Sequence, residues 1–493
     1  MRMMIRTVTV FLLTLTAAAI MGTAPATAAA AASYKVLHSF SGTDGGSPTG
    51  LLQASDGFFY GAAANGGDVN ACSPDGCGTL FKSDSSGNLT VLHVFHATDG
   101  YGPTGLVKGL DGNFYGTTAS GGQPSGGGAG TFFRIDPAGN FKVLYAFVGG
   151  FSCCDGSGPT AQPVLATDGN FYGTTVAGGA FRNIDHQGGM GAVYQFNPTT
   201  GLMAIIHSFN LTDGNGIFPN GPLIQAKDGF LYGTTREGGA SLFKVDTSGN
   251  LTRLAALTGT QPLSGVIQAT DGSFYGTDEG GSGAGSVYRV DAAGNLVFVN
   301  RFDGTDGYRP NLRLLQAKDG FFYGVTPQGG MLDFQGGDIF RLNAGGILRV
   351  LHSFRTTGTE GFAPNSQLVQ GADGALYGTT GIGGVGGHGT LFRLDQRVLG
   401  PVTSLTVNPT TIHSGQTSKG TVTLSSPAPT GGMVITLGAQ QGQIVIPSTV
   451  TVPAGAKTAT FTIKTLKIGA VVNVRIYASF NGQGLRTTLT VMP

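Results

Sequence analysis

A six-residue tag, Asp-Gly, two residues, then Tyr-Gly, occurs seven times between residues 34 and 396, and it constrains the fold more than any other feature. Its aspartates are Asp56, Asp111, Asp168, Asp228, Asp271, Asp319 and Asp373, spaced 43 to 60 residues apart. Around each tag four strand-like pieces recur: an apolar LLQA-like piece (A), the FYGTT piece (B), a GTLFRID piece (C) and a VLHSF piece (D). Asp-Gly between A and B is a strong hairpin signal, because a tight type I′ turn needs positive φ at both central positions. Four short strands repeated at this period predict an all-β, seven-bladed β-propeller with four-stranded blades. The order of the pieces adds a check. A D piece, Val36 to Phe40, precedes the first A piece, and the last repeat stops at Asp395 with none following. The N-terminal strand is therefore expected to pair with the strand containing Leu391 to Leu394 and close the ring, removing two exposed edges.

Repetition also suggests plain structural roles. Tyr-Gly reads as core packing, and Gln53, Gln225, Gln268, Gln316 and Gln370, at one position of piece A, read as the lining of a central channel. His38, His93, His207 and His352 share one position of piece D, where Tyr145, Ala255 and Asn300 stand in the other repeats, and read as sheet-surface residues. Strand alternation places the B-to-C and D-to-A loops on one face, and that face carries nearly all the length variation. Five of the D-to-A loops contain Asp-Gly before a proline, at Asp44, Asp99, Asp155, Asp213 and Asp306, with Glu360 in the last repeat, and these read as side-chain-capped turns. One carboxylate per loop does not supply the converging oxygens that calcium needs, so no metal is expected.

With 86 Gly and 22 Pro in 493 residues, a long-helix protein is excluded. Charge is unevenly distributed. Residues 401–493 hold six Lys or Arg and no acid, while residues 29–400 carry 20 bases against 27 acids, a balance that argues against nucleic acid as a partner. Residues 1–28 read as a signal peptide: Arg2 and Arg6, an apolar run from Val8 to Met21, and Ala26-Thr27-Ala28 before a cleavage expected near Ala28. No later stretch is apolar enough for a transmembrane anchor, so the expected location is secreted, periplasmic or cell-surface. Cys72 and Cys77 bracket a turn-forming SPDG and are expected to form a disulfide. Adjacent Cys153 and Cys154 allow a vicinal bridge, pairing with the first two, or free thiols.

None of the motifs HExxH, GxSxG, a Walker-type loop or paired CxxC is present, and no catalytic residue or cofactor is assigned. A site on a symmetric ring should sit where the symmetry breaks. After Tyr-Gly most repeats carry neutral residues, but the fourth has Arg236 and Glu237, and the fifth, which is also the shortest, has Asp278 and Glu279. These four are the candidate ligand-binding residues. The expected function is non-catalytic binding of an extracellular polymer, glycan or protein by a monomer. The alternative is a carbohydrate-active hydrolase or lyase using these carboxylates.

The tags DGNFYGTT, GGAGTFFRID and KVLYAF resemble the GloVer tandem repeat of exported bacterial proteins. That resemblance implies an exported repeat domain, often followed in the family by a C-terminal surface-anchoring signal; this chain ends instead in TLTVMP. More loosely the tags resemble seven-bladed streptogramin-lyase propellers, whose catalytic His and Glu have no assignable counterpart here. From Pro401 the repeat gives way to alternating Thr/Val strands such as GTVTLS, MVITLG and TATFTIKT, so residues 401–493 are expected to form an immunoglobulin-like β-sandwich.

Overall fold

The computed structural model describes residues 34–123, 128–149, 155–181, 188–280, 283–330, 335–395, 402–439, 442–480 and 483–493. The leader at residues 1–28 and the Cys153–Cys154 pair lie outside them. Every regular element among the described residues is a β-strand.

The tag folds as one hydrogen-bonded turn. Phe58 N donates to Asp56 Oδ1 at 3.1 Å while the Tyr60 hydroxyl donates to Asp56 Oδ2 at 2.8 Å, with Gly57 between them at φ 87°. The tyrosine bond recurs at Asp111, Asp168, Asp228, Asp271, Asp319 and Asp373. The tag tyrosine thus does more than fill the core: its hydroxyl fixes the turn. Burial, reinforced by the carboxylate, pushes the Tyr115 hydroxyl up to about 12.

Each tag sits in a sheet whose strands lie in chain order, as in Gly46–Gln53, Phe59–Asn65, Thr79–Ser83 and Leu89–Val94. The same antiparallel order recurs from the Asp111 sheet through the Asp319 sheet. In the Asp373 sheet the outer strand comes from the other end of the chain. Tyr34–Ser39 pairs antiparallel with Thr390–Leu394, with Tyr34 opposite Leu394 and Val36 opposite Phe392.

Successive sheets are joined by three repeated contacts, and each also links the last sheet to the first. Tag tyrosines pack on the next sheet's phenylalanine, Tyr60 on Phe114 at 4.0 Å and Tyr275 on Phe322 at 4.2 Å, and Tyr377 packs on Phe59 at 4.2 Å between ring centroids. The repeated glutamines span from sheet to sheet. Gln268 Oε1 accepts from Lys227 N of the preceding sheet's turn at 2.9 Å, and Gln53 accepts from Ala372 N at 2.8 Å. Finally, Thr277 Oγ1 donates to Leu312 O and Thr379 Oγ1 to Pro48 O, each at 2.9 Å.

The D-piece histidines also differ from the surface role expected of them. His38 Nε2 meets Asp44 Oδ2 at 2.8 Å, His93 meets Asp99 at 3.1 Å and His352 meets Glu360 at 3.2 Å, all partly buried. Each pair ties an outer strand to the loop that follows it.

Residues 402–493 form two further sheets around one apolar core that includes Val422, Ile435, Ile463, Ile476 and Leu489. One contains Val402–Asn408, Thr417–Leu424 and Thr458–Thr465; the other contains Met433–Ala439, Val472–Phe480 and Gln483–Met492. The second joins the outer strand of the Asp319 sheet, where Val350 pairs with Gly484.

Candidate functional site

The four charged residues singled out by symmetry do not form one cluster. Arg236 and Glu237 pair with each other at 2.5 Å, both exposed. Asp278 is 1% exposed, so it is not a rim carboxylate. As the last residue of Phe274–Asp278, it faces Ser286 across the ladder and accepts that hydroxyl's hydrogen bond. Burial raises its pKa although the Ser286 bond and Arg301 oppose this. The counterpart of Asp278 is Ala63 in the first sheet and a threonine in the other five, as in the Thr118–Thr131 and Thr380–Thr390 pairs. Glu279 is the exception, reaching Asn311 Nδ2 at 3.4 Å.

Asn311 leads to a more enclosed site. Threonine bonds from piece B hold the first halves of the A pieces in place, and these converge on a central cavity of about 430 Å³. Each of the seven tagged repeats contributes to its wall, from Thr49 and Thr104 through Gln162, Asn220 and Ser264 to Arg313 and Gln367. Asn65 and Tyr101, beside the B-to-C and D-to-A loops, mark its mouth on the variable-loop face. Arg313 is the sole charged residue of this wall among the described residues.

Register explains why Arg313 stands out. The position three before the repeated glutamine is Gly50, Gly105, Gln162, Pro222, Gly265, Arg313 and Gln367 in chain order, small or neutral in every sheet but one. Arg313 Nε donates to Gln367 Oε1 at 3.0 Å, and Gln367 Nε2 donates to Leu314 O at 3.5 Å, which aims its oxygen at the guanidinium. Surrounding protein lowers the Arg313 pKa to about 10, so the group remains charged at neutral pH. Arg313 and Gln367 also wall a second cavity, of about 490 Å³, bounded by Gln225, Lys227 and Gln268 near the A-to-B turns. The pair is therefore the waist between the two faces. Aligning the LLQA pieces reveals Arg313 in the sequence, whereas the departures that follow Tyr-Gly do not include it.

On the loop face Cys72 and Cys77 are disulfide-bonded, with Cα atoms 5.2 Å apart. Among the described residues no group of three or more His, Cys, Asp or Glu side chains is placed to hold a metal ion, and no helix is long and apolar enough to cross a membrane.

The family model of the Gloeobacter/Verrucomicrobia repeat matches residues 17–242 and 240–443, extending beyond the tagged region at both ends. No curated protein matches the chain. Among solved structures, a quinonprotein alcohol dehydrogenase-like protein from Bacteroides thetaiotaomicron is 13% identical over 62% of this chain and 65% of its own, with a TM-score of 0.39. A chain of a nidogen/laminin complex is 16% identical over 50% of this chain and 77% of its own, with a TM-score of 0.34. At such identities and TM-scores neither bears on what this chain binds.

Proposed function

The chain belongs to the Gloeobacter/Verrucomicrobia repeat family, and from that premise we propose that it is an exported, non-catalytic binding protein that receives its ligand from the variable-loop face of a closed seven-bladed propeller. The sheet-to-sheet bonds that return from Ala372 to Gln53 and from Thr379 to Pro48 support the closed ring. The two sheets sharing the core of Val422 and Ile476 support an immunoglobulin-like sandwich at the C-terminal end. The leader-like residues 1–28 support export.

The observation that carries the reading is the central cavity, whose wall among the described residues offers amides, hydroxyls and one cation but no carboxylate or imidazole. Such a wall binds and orients polar groups. Glycoside hydrolysis calls for a pair of carboxylates flanking the bond, and among the described residues Glu279 is the one carboxylate that bonds a wall residue from the rim, at Asn311. The purified mature chain, applied to a glycan array and to a turnover screen with the retained glycans, is expected to hold a ligand without converting it. Turnover that disappears in Glu279→Gln would overturn the reading in favour of a carbohydrate-active enzyme.

A further inference from the structure

Resting on that reading, we propose that the central cavity is a site for a sugar acid, whose carboxylate is taken by Arg313 and whose hydroxyls are met by the surrounding amides. The guanidinium has its Nε committed to Gln367, and its two terminal amino groups have no protein partner among the described residues. Arg313 is partly exposed and lines the cavity with no carboxylate among the described wall residues to balance it, and its planar fork matches a ligand carboxylate through two parallel bonds. Lysine would offer a point charge in place of that fork.

The rest of the wall selects among anions. Asn65, Gln162, Asn220, Asn311 and Asn365 approach from different sheets, and although Asn220 and Asn365 accept from Thr160 and Thr379 and Asn311 donates to Glu279, each amide retains both donor and acceptor capacity. An inorganic anion has no donors for the amide oxygens, and a simple aliphatic acid has nothing to offer most of them. A ring of hydroxyls satisfies both halves of the amides at several points around the wall. Tyr101 at the mouth adds an aromatic surface for a pyranose. A cavity of about 430 Å³ lies within the span of small-molecule sites, about 300–1,000 Å³. The loop-face mouth admits either a free sugar acid or the end residue of a chain, while the Arg313–Gln367 waist stops it from threading through.

Calorimetric titration of the mature chain with sodium galacturonate, its dimer, neutral galactose and sulfate tests this directly. Galacturonate or its dimer is expected to bind on the order of tenfold or more tighter than galactose, as charge-assisted paired bonds require, and tighter than sulfate. Arg313→Gln should lose about that factor while keeping its melting temperature, because glutamine already fills this register at Gln162 and Gln367. Arg313→Lys, which keeps the charge and loses the fork, should fall between the two and covers the case in which the glutamine variant does not fold. Galacturonate bound no better than galactose or sulfate, or unaffected in the lysine and glutamine variants, would overturn the proposal. If Arg313→Gln still retains the array glycan held by the unaltered chain, the binding-protein reading survives and the sugar-acid site falls; no glycan retained by the unaltered chain removes that broader reading instead.

Discussion

At the scale of single residues, repetition gives meaning to each exception. Piece C begins with Thr79, Thr131, Ser241, Ser286 or Thr390 in five sheets, all buried, and with Asp338, also buried, in the Asp319 sheet. Ser353 Oγ donates to Asp338 Oδ1, but Oδ2 has no partner. Burial pushes this carboxyl up to about 8 against the Ser353 bond, and the nearby charge of Asp303 adds to the shift. The folded protein therefore keeps the proton while the unfolded chain loses it near 3.8. Stability from this group is full below the unfolded value, falls as pH rises from about 4 to about 8, and is flat beyond. Asp338→Ser is expected to remove that fall and gain about 1–3 kcal/mol at pH 8. Denaturant melts of both chains at pH 5 and pH 8 check it, and a gain equal at the two pH values would assign the effect to packing. Asp278 is the same kind of exception, an acid at a hydroxyl position. Its charge is plain in the sequence, but its burial is not, because a carboxylate one residue before the loop reads as a rim ligand until the ladder turns it inward at the end of Phe274–Asp278.

Among the elements, the strand Tyr34–Ser39 is the most consequential, since it is the one strand taken from the far end of the repeat. Tyr34 stacks on His352 at 4.1 Å between ring centroids, lies 5.3 Å from Phe392, and donates its hydroxyl to Glu360 O at 2.7 Å. Removing residues 34–39 would open the edge of Thr390–Leu394 and expose that cluster together. Tyr34→Ala alone is expected to cost about 3–5 kcal/mol, as for other large aromatic truncations. Deletion of the strand should lower the melting temperature further, and an unchanged melt would show that the ring does not depend on its closure. The pairing partner was legible because piece D precedes the first A piece and is missing after the last. The strength of the joint was not, because the Tyr34–His352 contact joins residues of neighbouring sheets that no local pattern links. The glutamines show the same limit. Their period is visible, and Gln225 and Gln268 do line the second cavity, but that each also bonds the backbone of the preceding turn is not.

Across the whole molecule, the position where the repeat departs from its own pattern is also where the C-terminal sheets attach. In several sheets an outer-strand histidine meets the loop carboxylate, as His38 meets Asp44 and His93 meets Asp99. In the Asp271 sheet the histidine is replaced by Asn300, and Asp306, 1% exposed, would lack that partner. Arg486 fills the gap, donating to both Asp306 Oδ2 and Asn300 Oδ1. Beside it Arg475 pairs with Asp303 at 2.9 Å, and the Tyr477 hydroxyl donates to the same carboxylate. Burial would raise Asp303, but these bonds outweigh it and hold its carboxyl below the usual range. The outer strand Leu348–Ser353 is buried along most of its length, whereas Leu89–Val94 and Phe141–Ala146 are half-exposed. Because Asp306 is buried, Arg486→Ala should cost about 3–5 kcal/mol by leaving that charge without its cation. Amides of Leu348–Ser353 should then exchange with solvent faster as the cover loosens. Adding Asn300→His to Arg486→Ala would rebuild the histidine–carboxylate pair of the other sheets. It should recover part of the stability but none of the exchange protection, since it satisfies Asp306 without bringing the C-terminal sheets back. Hydrogen exchange of that strand in the two variants decides the matter: unchanged protection in Arg486→Ala would mean that the apolar and strand-to-strand contacts hold the two parts together and that Arg486 only neutralises a buried charge.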